Sequence, residues 1–151
     1  MKQLLWIIPL YLLLATACSK DDVNQSEVDR ELIENYLADN QLNAERHSSG
    51  MYYIIEEPGT GPNPTINSEV LTRYKGYLLD GTVFDQTPGS ESRTFFVSQV
   101  IPGWQIGIPL LKKGGKGIFF IPSGLGYGPF DRPGIPGNSV LIFETELVDF
   151  Q

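Results

Sequence analysis

The pattern of hydrophobic and polar positions begins with an apolar leader. Lys2 is followed by the run LLWIIPLYLLLA and then by small residues that end at Cys18. A run of this length with a basic residue on one side is typical of a secretory signal peptide and is too short for a stable membrane span. Residues 1–17 are therefore predicted to be a signal peptide and are excluded from the fold.

An amphipathic helix is predicted soon after the leader. Ser26 is placed to cap its N-terminus, and acidic residues follow in the first turn. Apolar residues then recur at helical spacing over residues 27–39. They are Leu32, Ile33, Tyr36 and Leu37. This stripe is expected to dock on the domain that follows or, failing that, on a second copy or a partner. Residues 40–50 are polar and are predicted to form a linker.

Apolar runs separated by Gly and Pro clusters predict antiparallel strands in the rest of the chain. The dipeptide Asp80-Gly81 favours a two-residue hairpin turn between two of them. In the last strand, alternate residues from Leu141 to Leu147 are predicted to face one side and the glutamates the other. The predicted strands are MYYIIEE at 51–57, the two halves of VLTRYKGYLLDGTVFD at 70–85, FFV at 95–97, GGKGIFFIP at 114–122 and SVLIFETELVDF at 139–150.

A short helix is predicted after the stretch VIPGW at 100–104. It places Trp104, Ile108 and Leu111 on one face, and Pro109 inside the pattern makes it short or kinked. The elements together predict an α+β domain in which a twisted antiparallel sheet packs against this helix.

Composition and charge narrow the class of protein. The chain has 151 residues, of which 41 % are hydrophobic and 19 % charged, as expected for one small domain. Its formal net charge is −7, and removal of Lys2 with the leader makes it one unit more negative. A protein this acidic is not built to bind nucleic acid or an anionic membrane face.

The residues that usually carry acid–base, nucleophilic or metal chemistry are scarce. Cys18 is the only cysteine, so no disulfide can form within the chain, and His47 is the only histidine. His47 lies in the polar linker and is expected to be solvated. No zinc site of the usual type and no conventional activated nucleophile is therefore predicted. The glycine-rich stretches at 59–61 and 112–117 lack the spacing of a phosphate-binding loop.

Aromatic residues near strand ends are the remaining candidates for function. They either form the core of a small domain or line a concave apolar site with polar tips. They are Tyr74, Phe84, Phe95, Trp104, Tyr127 and Phe143.

Four motifs follow one another between residues 50 and 150. They are VLTRYKGYLLDGTVFD, FFVSQVIPGW, KGIFFIPSGLGYG and GIPGNSVLIFETELVDF. In this order they resemble the FKBP-type peptidyl-prolyl cis-trans isomerase domain. The resemblance implies a twisted antiparallel sheet wrapped on one short helix, and isomerase activity on X-Pro bonds of proline-containing polypeptides without cofactor or metal. It also implies possible binding of macrolides such as tacrolimus or rapamycin.

The resemblance assigns roles to individual residues. Trp104 would be the floor beneath the substrate proline ring, and Asp85 would bond Tyr74. The backbone N–H of Ile101 and the hydroxyl of Tyr127 would reach substrate carbonyls. The residues expected to catalyse are Tyr74, Phe84, Asp85, Ile101, Trp104 and Tyr127. Those expected to bind substrate are Phe95, Val100, Ile135, from the loop over the site, and Phe143.

A second resemblance concerns the leader. ATAC at 15–18 is similar to the lipobox of bacterial lipoproteins, although Ala15 stands where Leu is usual. It implies cleavage before Cys18 and lipidation there, which anchors a protein effectively permanently. SKDD at 19–22 resembles the signal with which Bacteroidetes-type bacteria display lipoproteins on the outer surface. The similarity to lipid-anchored members, including those of gliding bacteria, implies an outer-membrane location facing the periplasm or the cell surface.

The expected organisation is a signal peptide at 1–17, a lipidated tether at 18–25, a helix and linker at 26–49 and the isomerase domain at 50–151. Arg93 departs from the family pattern, in which an apolar residue is usual, and is expected to open or charge one wall of the site. This departure and the N-terminal helix favour an alternative function, a non-catalytic binding or chaperone subunit of a surface or gliding complex. A hydrolase using Asp85 lacks a second placed carboxylate.

Overall fold

In the computed structural model, residues 24–151 are described. The predicted signal peptide, Cys18 and most of the predicted tether lie outside the described residues. The described part of the chain contains two α-helices, α1 (Gln25–Asp39) and α2 (Pro102–Gly107). The strands are β1 (Glu45–Arg46), β2 (Tyr52–Glu57), β3 (Glu69–Leu78), β4 (Val83–Gln86), β5 (Arg93–Phe96), β6 (Gly115–Ile121) and β7 (Leu141–Phe150).

The strands form one antiparallel sheet in the order β1-β2-β6-β7-β3-β4, with β5 also paired to β3. The long strands β3 and β7 pair along most of their length at its centre. The predicted α+β class is confirmed. The sheet has more strands than the sequence pattern indicated, because the short strand β1 carries no apolar alternation of its own.

Apolar side chains cover both faces of this sheet. On one face, Phe119 and Ile121 of β6 pack in a cluster with Trp104 of α2. On the opposite face, Phe120 packs with Ile33 of α1. Because both faces of β6 are covered, its sequence is a continuous apolar run rather than an alternating one. The expectation that α1 docks on the domain that follows it is therefore confirmed.

Three predictions about α1 and its surroundings are wrong. The helix is capped by Asn24 rather than Ser26, because the Asn24 side chain accepts the Ser26 backbone N–H at 3.2 Å. Leu32 is 41 % exposed, whereas Asp29 is 1 % exposed and faces the domain. The predicted linker contains β1, which pairs with β2 and so extends the sheet.

The turn between β3 and β4 also differs from the prediction. Leu78 donates its backbone N–H to the Thr82 carbonyl at 2.9 Å, which leaves three residues in the loop rather than two. Gly81 has a φ of +86°, the left-handed conformation that closes a three-residue hairpin. The prediction that Pro109 shortens the helix after VIPGW is confirmed, because α2 ends at Gly107 and a 3₁₀ turn follows.

Close packing of α2 on the sheet depends on glycine at position 103. A Cβ there would lie 2.5 Å from the Ile121 side chain, which is fully buried. We expect Gly103→Ala to lower the free energy of unfolding by about 1–3 kcal/mol, the usual effect of overpacking. Gly124→Ala is the matched control, because a Cβ at that exposed glycine meets nothing within 4 Å. Equal denaturation midpoints for the two variants would contradict the close approach.

Candidate active site

An apolar cavity of about 270 Å³ opens between α2, the strands β3 to β5 and the loop after β6. Its volume is close to the roughly 300 Å³ at which small-molecule pockets begin, so it suits one side chain or ring. The cavity is lined by Tyr74, Phe84, Asp85, Phe95, Gln99, Val100, Ile101, Trp104, Tyr127 and Phe143.

Trp104 forms the base of this cavity and is held by the edges of three other rings. Its ring centroid lies 5.1 Å from that of Tyr74, 5.6 Å from that of Phe95 and 5.3 Å from that of Phe143, all in T-shaped arrangements. Such pairs each contribute about 0.5–1.5 kcal/mol beyond area burial and fix the ring plane. Trp104 is 4 % exposed. The indole is thus both a core residue and a rigid surface of the cavity.

The segment that precedes Trp104 is fixed by backbone geometry and one side chain. Pro102 occupies the first turn of α2, where its missing N–H leaves no hydrogen bond unmade. The Ile101 carbonyl accepts the backbone N–H of Trp104 at 2.9 Å, and the Gln105 side chain donates to the Val100 carbonyl at 2.9 Å. Val100, Ile101 and Trp104 are therefore presented to the cavity by one stiff turn.

A polar cluster lies at the edge of the cavity. The Tyr74 hydroxyl donates to the Asp85 carboxylate at 2.5 Å and accepts from the Arg93 guanidinium at 2.7 Å. Arg93 also pairs with Asp85 at 3.1 Å. The sequence-based expectation that Asp85 bonds Tyr74 matches this geometry. Arg93 charges the rim, but its charge is compensated by Asp85, and it does not line the cavity itself.

Burial raises the pKa of Tyr74 to about 12, and the hydrogen bond to Asp85 adds to the rise while Arg93 opposes it. An unfolded tyrosine ionises near about pH 10. The folded protein therefore keeps a proton that the unfolded chain releases. The more tightly held proton stabilises the folded state. Its contribution to the free energy of unfolding is complete below about pH 10 and is lost as the pH rises towards 12.

We accordingly expect Tyr74 to titrate late. In an alkaline titration followed by tyrosinate absorbance, the difference between the wild type and Tyr74→Phe should report a group that ionises well above about pH 10. Tyr53→Phe is the control, because that hydroxyl lies at an exposed edge and bonds Glu45. A difference curve centred on the ordinary tyrosine value would contradict the burial of the Tyr74 hydroxyl.

The structure brings together nine of the ten residues predicted for substrate contact. Ile135 is the exception: it is 7 % exposed and packs in the same apolar cluster as Trp104, but it does not line the cavity. Its expected contact with substrate therefore stays a prediction. Gln99 lines the cavity and was missed, because a lone exposed glutamine carries no signal in the sequence.

A second depression, of about 330 Å³, lies elsewhere on the sheet and is lined mainly by charged side chains. Two of its cations are already paired, Arg73 with Glu146 and Lys116 with Glu57. Exposed charged side chains that pair with neighbouring side chains of opposite charge are an ordinary feature of a sheet surface. The aromatic cavity is therefore the candidate active site. Within residues 24–151, no cluster of three metal-ligating side chains is present.

A sheet packed on a short helix, with an aromatic cavity whose base is the tryptophan of that helix, defines a class of protein. The sequence model of the FKBP-type peptidyl-prolyl cis-trans isomerase matches residues 61–148. The chain belongs to this family.

Three of the relatives come from bacteria. The chain is 38 % identical over 137 residues to the FKBP-type peptidyl-prolyl cis-trans isomerase FkpA of Aeromonas hydrophila. The matched residues cover 85 % of this chain and 51 % of the relative. It is 44 % identical over 103 residues to FkpA of Escherichia coli strain K12, covering 68 % of this chain and 38 % of the relative. It is 43 % identical over 102 residues to the outer membrane protein MIP of Legionella longbeachae, covering 66 % and 44 %.

Solved structures agree with the fold. The crystal structure of FkpA from Escherichia coli superposes with a TM-score of 0.74 at 36 % identity, covering 84 % of this chain and 63 % of that one. A peptidyl-prolyl cis-trans isomerase from Pseudomonas syringae gives a TM-score of 0.71 at 29 % identity, covering 83 % and 96 %. The chain spans about half or less of the length of the two FkpA proteins and of MIP, the relatives compared by sequence above.

Proposed function

We propose that this protein is a peptidyl-prolyl cis-trans isomerase that acts on X-Pro bonds of extracytoplasmic proteins. The observation that carries the proposal is the aromatic cavity with Trp104 as its base and a backbone-rigid wall at Val100 and Ile101. Its lining is mainly aromatic and aliphatic, with Asp85, Gln99 and two tyrosines as polar groups, which suits a proline ring flanked by peptide groups.

The chemistry required of such a site is modest. Rotation about a peptide bond faces a barrier of about 18–20 kcal/mol because twisting breaks amide resonance. An X-Pro bond exchanges over tens to hundreds of seconds without help. The twisted amide loses its charge-separated resonance form, so it depends less on hydration than the planar amide does. A dry cavity therefore stabilises the transition state relative to the ground state.

Each part of the site then has a task in the proposal. The Trp104 ring would support the prolyl ring, and Phe84, Phe95 and Phe143 would exclude water around it. The Ile101 N–H and the Tyr127 hydroxyl would hold substrate carbonyls, which orients the bond that rotates. Arg93, paired with Asp85 at 3.1 Å, would keep the Tyr74 hydroxyl in place. No proton transfer or covalent step is involved.

Isomerisation of a Phe-Pro peptide tests the activity directly. We expect the protein to accelerate cis-trans exchange well above the uncatalysed rate, and a macrolide such as rapamycin to compete for the same cavity. A folded sample, shown by its circular dichroism, that does not change the exchange rate would overturn the proposal. The alternative function would then take its place.

The alternative is a non-catalytic binding or chaperone subunit. One observation favours it: Phe130, in the loop that carries Tyr127, is 75 % exposed. An aromatic side chain this exposed can serve as an anchor for another protein. Under the alternative, a client would still bind after Trp104 is replaced, whereas Phe130→Ser would release it. Under the isomerase proposal, Phe130→Ser would leave turnover of a short peptide unchanged.

We also propose that the protein is lipidated at Cys18 and held at the bacterial outer membrane. The basis is the lipobox-like ATAC sequence, together with the similarity to the outer membrane protein MIP of Legionella longbeachae. No helix among residues 24–151 is long and apolar enough to cross a membrane. The same proposal includes the division of the chain into segments at 1–17, 18–25, 26–49 and 50–151. It also includes outward display through SKDD, as in gliding bacteria.

Cys18→Ser is expected to move the protein from the membrane fraction to the soluble fraction, because loss of the acyl chains removes about 0.8 kcal/mol per buried CH₂. The measurement is cell fractionation together with metabolic labelling by a fatty acid. Ser19→Ala is the matched control, since it alters the neighbouring residue without removing the thiol. Retention of Cys18→Ser in the membrane fraction would contradict the anchor.

A further inference from the structure

The side chain of Asp29 is a buried carboxylate that none of the roles above uses. It lies on α1, outside the residues 61–148 that define the family, and is 1 % exposed. We propose that Asp29 is a positioning residue for the active site, acting through Ser123 on the turn that carries Tyr127. The kinetic test of this proposal rests on the proposed isomerase activity, whereas its hydrogen-exchange test does not.

Asp29 is held by hydrogen bonds rather than by a cation. One carboxylate oxygen accepts the Ser123 backbone N–H at 2.7 Å and the Ser123 hydroxyl at 2.6 Å. The other accepts the Gln25 side-chain amide at 2.7 Å. Among the described residues, Asp29 takes part in no ion pair. A buried charge of this kind is tolerated only when donors surround it, so its contacts to Ser123 are strong and directional.

Ser123 in turn organises the loop beside the cavity. It follows β6 and begins the 3₁₀ turn Ser123–Leu125. Its carbonyl accepts the backbone N–H of Gly126 at 3.0 Å and that of Gly128 at 2.9 Å, which are the residues on either side of Tyr127. The position of Ser123 therefore sets the position of the Tyr127 backbone. Tyr127 lines the cavity, so a path of direct contacts joins α1 to the active site.

Docking of α1 as a whole does not depend on Asp29. Ile33 and Leu37 are buried against the sheet, and the Tyr52 hydroxyl donates to Glu34 at 2.7 Å. These contacts hold the middle and the C-terminal half of the helix. Asp29 is the contact of its N-terminal half with the loop, so its removal is expected to displace the loop without releasing the helix.

The kinetic experiment compares Asp29→Ala with Glu34→Gln in the full chain. Glu34→Gln weakens the hydrogen bond between α1 and Tyr52 of β2 and is expected to leave activity unchanged. A misplacement of about 1 Å far from the chemistry can reduce rates up to ~100-fold. For Asp29→Ala we expect kcat/KM to fall about tenfold, mainly through a higher KM, with Asp29→Asn closer to the wild type because its side-chain oxygen still accepts from Ser123.

A double-mutant cycle identifies the route. If Asp29 acts through Tyr127, then Asp29→Ala adds little to the loss already caused by Tyr127→Phe. Fully additive losses, or an Asp29→Ala variant as active as the wild type, would overturn the proposal. If Asp29→Ala does not fold, Ser123→Ala provides the same comparison, since it removes the hydroxyl contact to Asp29 and keeps the backbone N–H contact.

Hydrogen exchange provides the readout that is independent of turnover. The amides of Gly126 and Gly128 should exchange faster in Asp29→Ala than in the wild type, while the amides of α1 remain protected. Unchanged exchange at these two glycines would overturn the positioning role even in an active enzyme. If the wild type proves inactive but the two amides respond, the connection from Asp29 to the loop stands and the proposed isomerase function fails.

Discussion

Trp104→Ala is expected to remove most of the isomerase activity and much of the stability. Loss of the ring takes away the base of the cavity and admits water beneath the prolyl ring. Burial of one large apolar group contributes about 1.5–3 kcal/mol. If this contribution acts fully in the transition state, kcat/KM falls by roughly 10- to 100-fold. The free energy of unfolding should fall by about 3–5 kcal/mol, because Trp104 is 4 % exposed in the core.

The matched control is Phe120→Ala. Phe120 is fully buried, but it lies on the opposite face of the sheet and packs with α1. It should lose a similar amount of stability while keeping its peptide turnover at temperatures where it remains folded. Isomerisation and denaturant unfolding of both variants separate the two effects. Equal activities in Trp104→Ala and Phe120→Ala would show that the indole is only a core residue.

Asp85→Ala is expected to lower isomerase activity with little change in the free energy of unfolding. This is the reverse of the result expected for Phe120→Ala. The Asp85–Arg93 pair is about half exposed on both sides, and such pairs contribute about 0–1 kcal/mol. Without Asp85, the Tyr74 hydroxyl loses its acceptor and the Arg93 charge at the rim is no longer compensated. We expect kcat/KM to fall about tenfold, the equivalent of one charge-assisted hydrogen bond of roughly 1.5 kcal/mol.

Two comparisons sharpen this prediction. Asp149→Ala removes another exposed carboxylate, paired with Lys113 at 2.8 Å, and should change neither activity nor stability. In Asp85→Ala/Arg93→Leu the uncompensated charge is absent, so part of the lost activity should return. If Asp85→Ala alone keeps its activity, the cluster at the rim has no part in catalysis. If the double variant is the worst of all, Arg93 contributes directly.

Much of this site was predictable from the sequence. The tryptophan after VIPG, the FD pair at 84–85 and the tyrosine of GLGYG lie in short motifs, and the strands that carry them have marked apolar patterns. The Tyr74–Asp85 hydrogen bond followed from the family resemblance. The motifs were accessible because each consists of a few neighbouring residues within one or two adjacent elements, and the roles of their residues came from the resemblance.

Other features were not predictable from such patterns. The sequence predicted that Arg93 would open or charge one wall of the site. In the structure, the pairing of β5 with β3 brings its guanidinium into contact with Tyr74 and Asp85. Ile135 was expected on the loop over the site, and in the structure it is buried in the same apolar cluster as Trp104. A side chain's role in these cases depends on which distant strand lies beside it, and local propensity carries no such information.

By itself, the sequence determined the α+β class and the scarcity of histidine and cysteine, because periodicity and composition express local physical preferences. Only the tertiary structure decided that Asp29 is buried and bound to Ser123, 94 positions along the chain. An acidic residue on a short surface helix is ordinarily solvated. Its burial here follows from the docking of α1 beside the end of β6, where the Ser123 N–H and hydroxyl offset the loss of hydration.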